Sequence, residues 1–499
     1  MKGFTDRLFR ERYFREEIDK EGNKKEKIQD YFQTIKPGEK KLLPFTQTPS
    51  ANLYDGNCGL IGVTGEFYRI MTQSGVKPIY TASDAIETLK GALKEKYKMA
   101  DDDIERFVNL FEDIFFDNNA LNVVDTSFFV FAPLKYSVGT SAESKKQHPG
   151  KENYRSGQFK IAHYYASMAE DCSEIFCTKP KDLFNEVVWD CLQSSNSFGS
   201  RNDVDKYFIL PFVKKQFTKD FQWLMSQRAD VIVKYLPLFL HFYICFSLMQ
   251  TLVYMNRSNW SLNVIKPKEV TFSLTSEAVS KMADCIRKGW SAKDCLPESF
   301  LGRLSSYAQA LDILNCMFEE EREPMTFQDI RNKFLNMEFD DESKVICESV
   351  LNEYQRRKNA TLEDRKTETN FTPDTSDITV ESFDQFMDKL LNLCINLQSK
   401  DYNRLKRPVH DLFKIKMRIQ RKEYKVLALD DELLLFLIAL VVGSDKRIRM
   451  DELYCRFKER YGIVFSFNTR NAIADYLQKL NLLERKSDSG EAQYVHIIL

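Results

Sequence analysis

From Tyr235 to Met255 the chain runs for 21 residues without a charge, most of it Tyr235-Leu236-Pro237-Leu238-Phe239-Leu240-His241-Phe242-Tyr243-Ile244-Cys245-Phe246-Ser247-Leu248-Met249-Gln250. A helix of this composition has no polar stripe to turn to water, so it must be covered all round. Lipid could do that, since roughly 20 apolar residues span a bilayer, with Tyr235 and Tyr254 at the two interfaces. Pro237, His241, Ser247 and Gln250 argue for a protein interior, where hydrogen-bond partners offset the cost of burying them. No second such run occurs, and Met1-Lys2-Gly3-Phe4-Thr5-Asp6-Arg7 lacks the apolar core of a secretory signal. The expectation is a central core helix over 235–255 in a cytoplasmic protein with no membrane partner.

The rest of the chain must supply that cover. With 499 residues, 43% hydrophobic and 29% charged, it has globular composition and room for two to four domains. Its 11 cysteines include no CxxC pair, which suits buried thiols in a reducing compartment. Periodicity predicts helices over 59–73, 82–98, 101–116, 158–177, 183–194, 276–289, 301–318, 326–337, 342–357 and 379–399, and a short strand at Val270–Leu274. Two short amphipathic helices are expected within 1–36, split at Glu21-Gly22-Asn23. Residues 358–378 are polar, with almost nothing to bury, and read as a linker. The expected organisation is a mainly α, multi-helical body over 1–357, the linker 358–378, a helical, basic connecting segment over 379–425, and a C-terminal domain over 426–499.

That last domain has the layout of a winged helix, a helix-turn-helix completed by a β-hairpin. An apolar helix, Leu433–Val442, closes at Gly443. An extended piece, Arg447–Met450, follows. A second helix starts at Asp451 with Leu453, Phe457 and Tyr461 on one face and stops at Gly462. A third starts near Asn468, with Ile473, Leu477 and Leu480 facing in. Strands at 482–486 and 491–498 are joined by Ser487-Asp488-Ser489-Gly490, a turn composition. In this arrangement the third helix can enter a major groove.

Net charge is −1, so DNA contact would need a local patch. One lies in Lys400–Lys425, with ten Lys or Arg against three acids. Arg404, Lys406, Arg407, Lys414, Lys416, Arg418, Arg421 and Lys422 would bind the backbone without reading sequence. On the third helix, Asn471 and Gln478 could read adenine edges and Lys479 could bind phosphate, with Arg485 and Lys486 on the wing. Asp475 on the same helix, and Glu484, Asp488 and Glu491 on the wing, oppose this. The alternative is a winged helix that binds only protein.

Catalytic chemistry is not apparent. Gly56, Gly59, Gly62 and Gly65 recur at every third position, but neither GxxxxGK[ST] nor GxGxxG is present, so they read as a turn and a helix start. Glu66 and Arg69 read as a structural pair or a partner contact. His163, Cys172 and Cys177 fall one ligand short of a zinc site. No nucleophile sits in a recognisable triad and no nuclease cluster of acids precedes a lysine. No catalytic residue, metal or cofactor is expected.

The stretch Leu480-Asn481-Leu482-Leu483-Glu484-Arg485-Lys486-Ser487-Asp488-Ser489-Gly490-Glu491-Ala492-Gln493-Tyr494-Val495 resembles the DptG family, a restriction component of bacterial DNA phosphorothioation systems. So do Tyr235–Tyr243, Leu43-Pro44-Phe45 on to Gly65-Glu66-Phe67, and Phe272-Ser273-Leu274 on to Gly289-Trp290. The resemblance implies a cytoplasmic anti-phage role. One module of such systems replaces a non-bridging phosphate oxygen by sulfur. DptF-like, DptG-like and DptH-like subunits together restrict double-stranded DNA that lacks the mark, and the ATPase motifs belong to the partners. It implies a non-catalytic subunit that bridges partner subunits and contacts DNA. Two other readings stay open: a protein-binding scaffold of the kleisin kind, and a cryptic nuclease.

Overall fold

A computed structural model describes residues 14–18, 24–28, 61–72, 82–115, 129, 161–175, 183–192, 209–257, 266–277, 310–311, 313–315, 317–318, 325, 327–364, 376–395, 417–419, 422–424, 426–445, 447–485 and 493–496. These are mainly helical, with small sheets. In chain order they form strands β1 (Phe14–Ile18) and β2 (Lys24–Ile28), then helices α1 (Ile61–Thr72), α2 (Ala82–Lys96), α3 (Asp101–Phe115), α4 (Leu183–Leu192), α5 (Pro211–Met225) and α6 (Ala229–Arg257). Strand β3 (Val270–Leu274) precedes α7 (Phe327–Leu335), α8 (Asp341–Asp364) and α9 (Phe383–Ile395). Strands β4 (Met417–Ile419), β5 (Lys422–Tyr424) and β6 (Ala428–Leu429) lead into α10 (Asp431–Val442). The chain ends with β7 (Arg447–Arg449), α11 (Met450–Tyr461), β8 (Ile463–Phe465), α12 (Phe467–Lys479), β9 (Leu483–Arg485) and β10 (Gln493–His496). Two compact units result, each assembled from separate stretches: 1–47, 254–262 and 298–403 in the first, 48–253, 263–297 and 404–499 in the second.

In the first unit, β1 and β2 pair antiparallel, with Phe14 opposite Ile28. This corrects the two helices expected within 1–36. Phe14 and Ile18, the only apolar residues of Phe14-Arg15-Glu16-Glu17-Ile18, are too few to make the buried face of a helix, and they pair with Ile28 and Lys24 of β2. The helical part is joined by aromatic rings: Phe334 of α7 stacks on Phe383 of α9 at 4.3 Å. Helix α8 does not stop where the linker was expected; residues 358–364 continue it, because that sequence, although polar, contains no Gly or Pro. The last part of the expected linker is strapped to α8 by side chains one helical face apart. Asn352 donates to the Ile378 carbonyl (3.1 Å) and accepts from its amide (2.8 Å), and Glu348 accepts from the Val380 amide (2.9 Å).

The second unit is organised on α6. Every residue from Phe239 to Thr251 is buried. Its rings mesh with α5, as in Phe217–Tyr243 at 4.9 Å, and with α11, as in Phe242–Tyr461 at 5.3 Å. Ser247 is hydrogen-bonded to the Tyr164 hydroxyl at 2.6 Å. Gln250 accepts from the Lys268 amide (2.9 Å) and donates to the Lys268 carbonyl (3.0 Å). The helix is long and apolar enough to cross a membrane, but two thirds of that window (67%) is buried inside the protein. Helix α1 carries the Glu66–Arg69 pair, fully buried, with Arg69 Nε 2.9 Å from Glu66 Oε2. It is a structural pair.

The short strand expected at Val270–Leu274 is β3. It lies between β6 and β8, parallel to both, and all five of its residues are buried. A second sheet, antiparallel, has the order β7-β10-β9. The 417–425 part of the basic segment, expected to be helical, instead contains the antiparallel pair β4–β5. Met417, Ile419 and Tyr424 alternate with Arg418 and Glu423, a period-two pattern that outweighs helix propensity there.

Candidate nucleic-acid interface

Helix α12 is held from both ends and from beneath. Ser466 caps its start: the Thr469 amide donates to Ser466 Oγ at 3.2 Å. Thr469 in turn donates its hydroxyl to the buried carboxylate of Glu277 at 2.8 Å, and Ser273 of β3 donates to the same oxygen at 2.8 Å. At the far end Asn481, with φ +56°, ends the helix; the Asn481 amide reaches the Gln478 carbonyl and the Leu482 amide the Leu477 carbonyl. That is the double bond of a Schellman closure, with Asn taking the left-handed position. Ile473 and Leu477 face in as expected, whereas Leu480 is 42% exposed. The helix has already closed at Leu480, so the inward stripe does not extend to it.

Asn471, Asp475 and Gln478, four and three residues apart, fall on one exposed stripe, with exposed Lys479 beside it. Arg418, Lys422 and Arg485 lie on β4, β5 and β9. Arg404, Lys406, Arg407, Lys414, Lys416, Arg421 and Lys486 lie outside the described residues.

Most of the remaining described basic side chains in this region are occupied. Arg447 pairs with Glu484 at 3.0 Å and lies over the Tyr494 ring. Arg456 pairs with Asp445 and Glu452 and bonds the Val441 carbonyl, while Arg460 bonds the Leu440 carbonyl, so both close the C-terminus of α10. Lys458 pairs with Glu269 at 2.9 Å. Arg449 and Arg470 differ: among the described residues neither has a carboxylate partner.

Both line one surface pocket of about 260 Å³, formed by the start of α11, the outer face of α12 and β10. Arg470 is fixed from its inner side: Nε donates to the Phe465 carbonyl at 3.2 Å and the guanidinium lies 4.9 Å from the centre of the Tyr454 ring. The Tyr454 hydroxyl donates to the Arg470 carbonyl at 2.9 Å, and burial holds that hydroxyl protonated well above the ordinary tyrosine range. Phe467, 75% exposed, stands at the edge, with Asn471 and Gln493 beside it. Sequence patterning singled out only Asn471 here. Arg449 belonged only to the extended piece 447–450 in the sequence, and its meeting with Arg470 and Phe467 depends on tertiary packing.

Deeper in the same unit, Asp220 of α5 accepts from the Tyr243 hydroxyl at 2.6 Å, from the Tyr461 hydroxyl and from Gln216 at 2.8 Å. It joins α5, α6 and α11 and offers no open face for chemistry. His163 and Cys172 are placed in the residues following α3, Cys177 lies outside the described residues, and no metal-ligating cluster occurs among the described residues. No family model matches the sequence, and no curated protein matches it significantly; the comparisons assign this chain to no family.

Proposed function

We propose that this chain is a non-catalytic subunit of an anti-phage DNA restriction complex linked to DNA phosphorothioation, with DptF-like and DptH-like partners. In this reading its residues 400–499 contact double-stranded DNA. The observation that carries the DNA part is the order and pairing of the final elements. Helix, strand, helix, strand, helix and two strands, with β10 between β7 and β9 and with β8 in the sheet of β3, support reading the region as a winged helix whose third helix is α12. Asn471, Gln478 and Lys479 on the outer face of that helix support it, and the place in a restriction complex rests on the DptG resemblance.

A second reading keeps the winged helix but gives it a protein partner. Arg447, Arg456 and Lys458 already have carboxylates, and Asp475 stands on the exposed stripe.

Duplex binding by the full chain, followed by anisotropy between about 50 and 200 mM salt, separates them. A DNA-binding subunit loses affinity steeply over that range, by an amount set by the number of phosphate contacts. Absence of binding at the low end would reject DNA contact in favour of the protein-only reading. Co-purification of an ATPase-bearing partner tests the place in a complex, and metal-dependent cutting by the chain alone would overturn the non-catalytic assignment.

A further inference from the structure

The pocket under Arg449 and Arg470 has a chemistry that the general DNA-binding reading does not specify. Its volume, about 260 Å³, is below the roughly 300–1,000 Å³ that enclose a whole small molecule, so it suits a group presented by a larger polymer. Two arginines and one acid, Asp451, give its lining a formal charge of +1. That matches one phosphodiester better than a doubly charged phosphate monoester. Arg470 is pre-oriented by Tyr454 and the Phe465 carbonyl, which reduces the entropy lost when its terminal nitrogens grip an anion. Phe467, exposed at the edge, offers an apolar surface to the sugar beside that phosphate.

We propose that this pocket is the anchoring site for one backbone phosphodiester of DNA, clamped between Arg449 and Arg470 with the adjoining sugar against Phe467. It rests on the DNA-binding reading above and sharpens it: register along the duplex is set here, and the basic stretch 404–422 adds unspecific attraction.

The test is duplex binding by the full chain and its variants across a salt series. Arg449→Gln is expected to weaken binding about 10-fold and to lower the salt slope by about 1, since one phosphate contact is lost. The double change with Arg470→Gln is expected to lower the slope by about 2. Phe467→Ala is expected to weaken binding with the slope unchanged, since an apolar contact with the sugar releases no counterion, and the thermal transition distinguishes this from loss of folding. Arg449 and Phe467 are exposed, so their variants should keep the parent thermal transition.

A parent chain that binds, with variants of unchanged affinity and slope, would overturn the anchoring site and leave the DNA reading standing. A parent that fails to bind at low salt would overturn both. Inorganic phosphate at matched ionic strength should displace DNA no better than chloride. Strong displacement lost in Arg449→Gln would assign the pocket to a free anion and overturn the proposal.

Discussion

Thr469 and Glu277, 192 residues apart in the chain, share a buried hydrogen bond of 2.8 Å that fixes the first turn of α12 to the segment following β3. The other carboxylate oxygen of Glu277, Oε1, is buried and has no hydrogen-bond partner among the described residues, so the carboxylate depends on Thr469 and Ser273 for its pairing. Replacing Thr469 by Val removes one of the two donors to Glu277 and the 2.8 Å hydroxyl bond to Ser466 while keeping the shape and the backbone amide of the cap. The expected cost is about 1–3 kcal/mol, with Thr469→Ser close to the parent. Urea unfolding followed by circular dichroism measures it, and no loss with Val would mean that the bond contributes nothing.

Gly462 is a backbone requirement rather than a convenience. Its φ is +66°, its carbonyl accepts from the Val270 amide at 2.8 Å, and a Cβ there would lie 2.2 Å from the Lys268 carbonyl oxygen. Gly443 has a similar φ, +63°, but a Cβ would meet nothing nearer than 3.7 Å. Gly443, with ψ −127°, lies outside the left-handed helical region, and Gly443→Ala should cost about 1–3 kcal/mol, the conformational strain alone. Gly462→Ala should cost distinctly more, because the β3–β8 register must open as well. Equal shifts in the two thermal midpoints would contradict this.

Asp220 should leave a mark on the pH dependence of stability. Burial raises its carboxyl above the ordinary 3.8, against the lowering effect of the Tyr243 and Tyr461 hydroxyls. The folded chain therefore keeps that proton to higher pH than the unfolded chain does. Its contribution is fully present below pH 3.8 and declines as pH rises through the raised value. Asp220→Asn should flatten that decline, its oxygen serving both tyrosines once Gln216 turns its amide over. Asp220→Leu strands two buried hydroxyls at about 1–3 kcal/mol each. Denaturant midpoints at a series of pH values for parent and Asn variant check the slope.

In the other unit, Asn352 holds both backbone groups of Ile378. Asn352→Ala should release residues 376–380 from α8 and lower stability by about 1–2 kcal/mol. Hydrogen exchange would show it first at the Ile378 amide. If that amide exchanges no faster in the variant, the strap is held elsewhere.

Helix positions were largely legible in the sequence. Asp101-Asp102-Asp103 opens α3, Gly443 and Gly462 close α10 and α11, and the absence of charge in 235–255 announced a core helix; these are local signals. Strand partners were not legible. Ile463-Val464-Phe465 is three residues long, too short for a periodicity to register, and its partner lies nearly 200 residues upstream. The N-terminal hairpin was missed because a dense run of charges imitates a helix surface. At the interface, the outward stripe of α12 could be read from spacing alone, but which arginines are free depends on carboxylates supplied by other elements. Arg447 and Arg449, two residues apart, look the same in sequence; one is neutralised by Glu484 and the other is not.

The placing of β3 bears on how this protein is made. Val270–Leu274 leaves the ribosome well before Ala428–Leu429 and Ile463–Phe465, the only segments that pair with it among the described residues. At about 5–20 residues per second it waits roughly 10–30 seconds with both edges bare. The second unit therefore matures only after nearly the whole chain has been synthesised. Nascent or prematurely terminated chains carry an apolar strand open to chaperones and to other nascent chains. Residues 430–499 cut out alone would leave behind the strand on which β8 and α12 are seated.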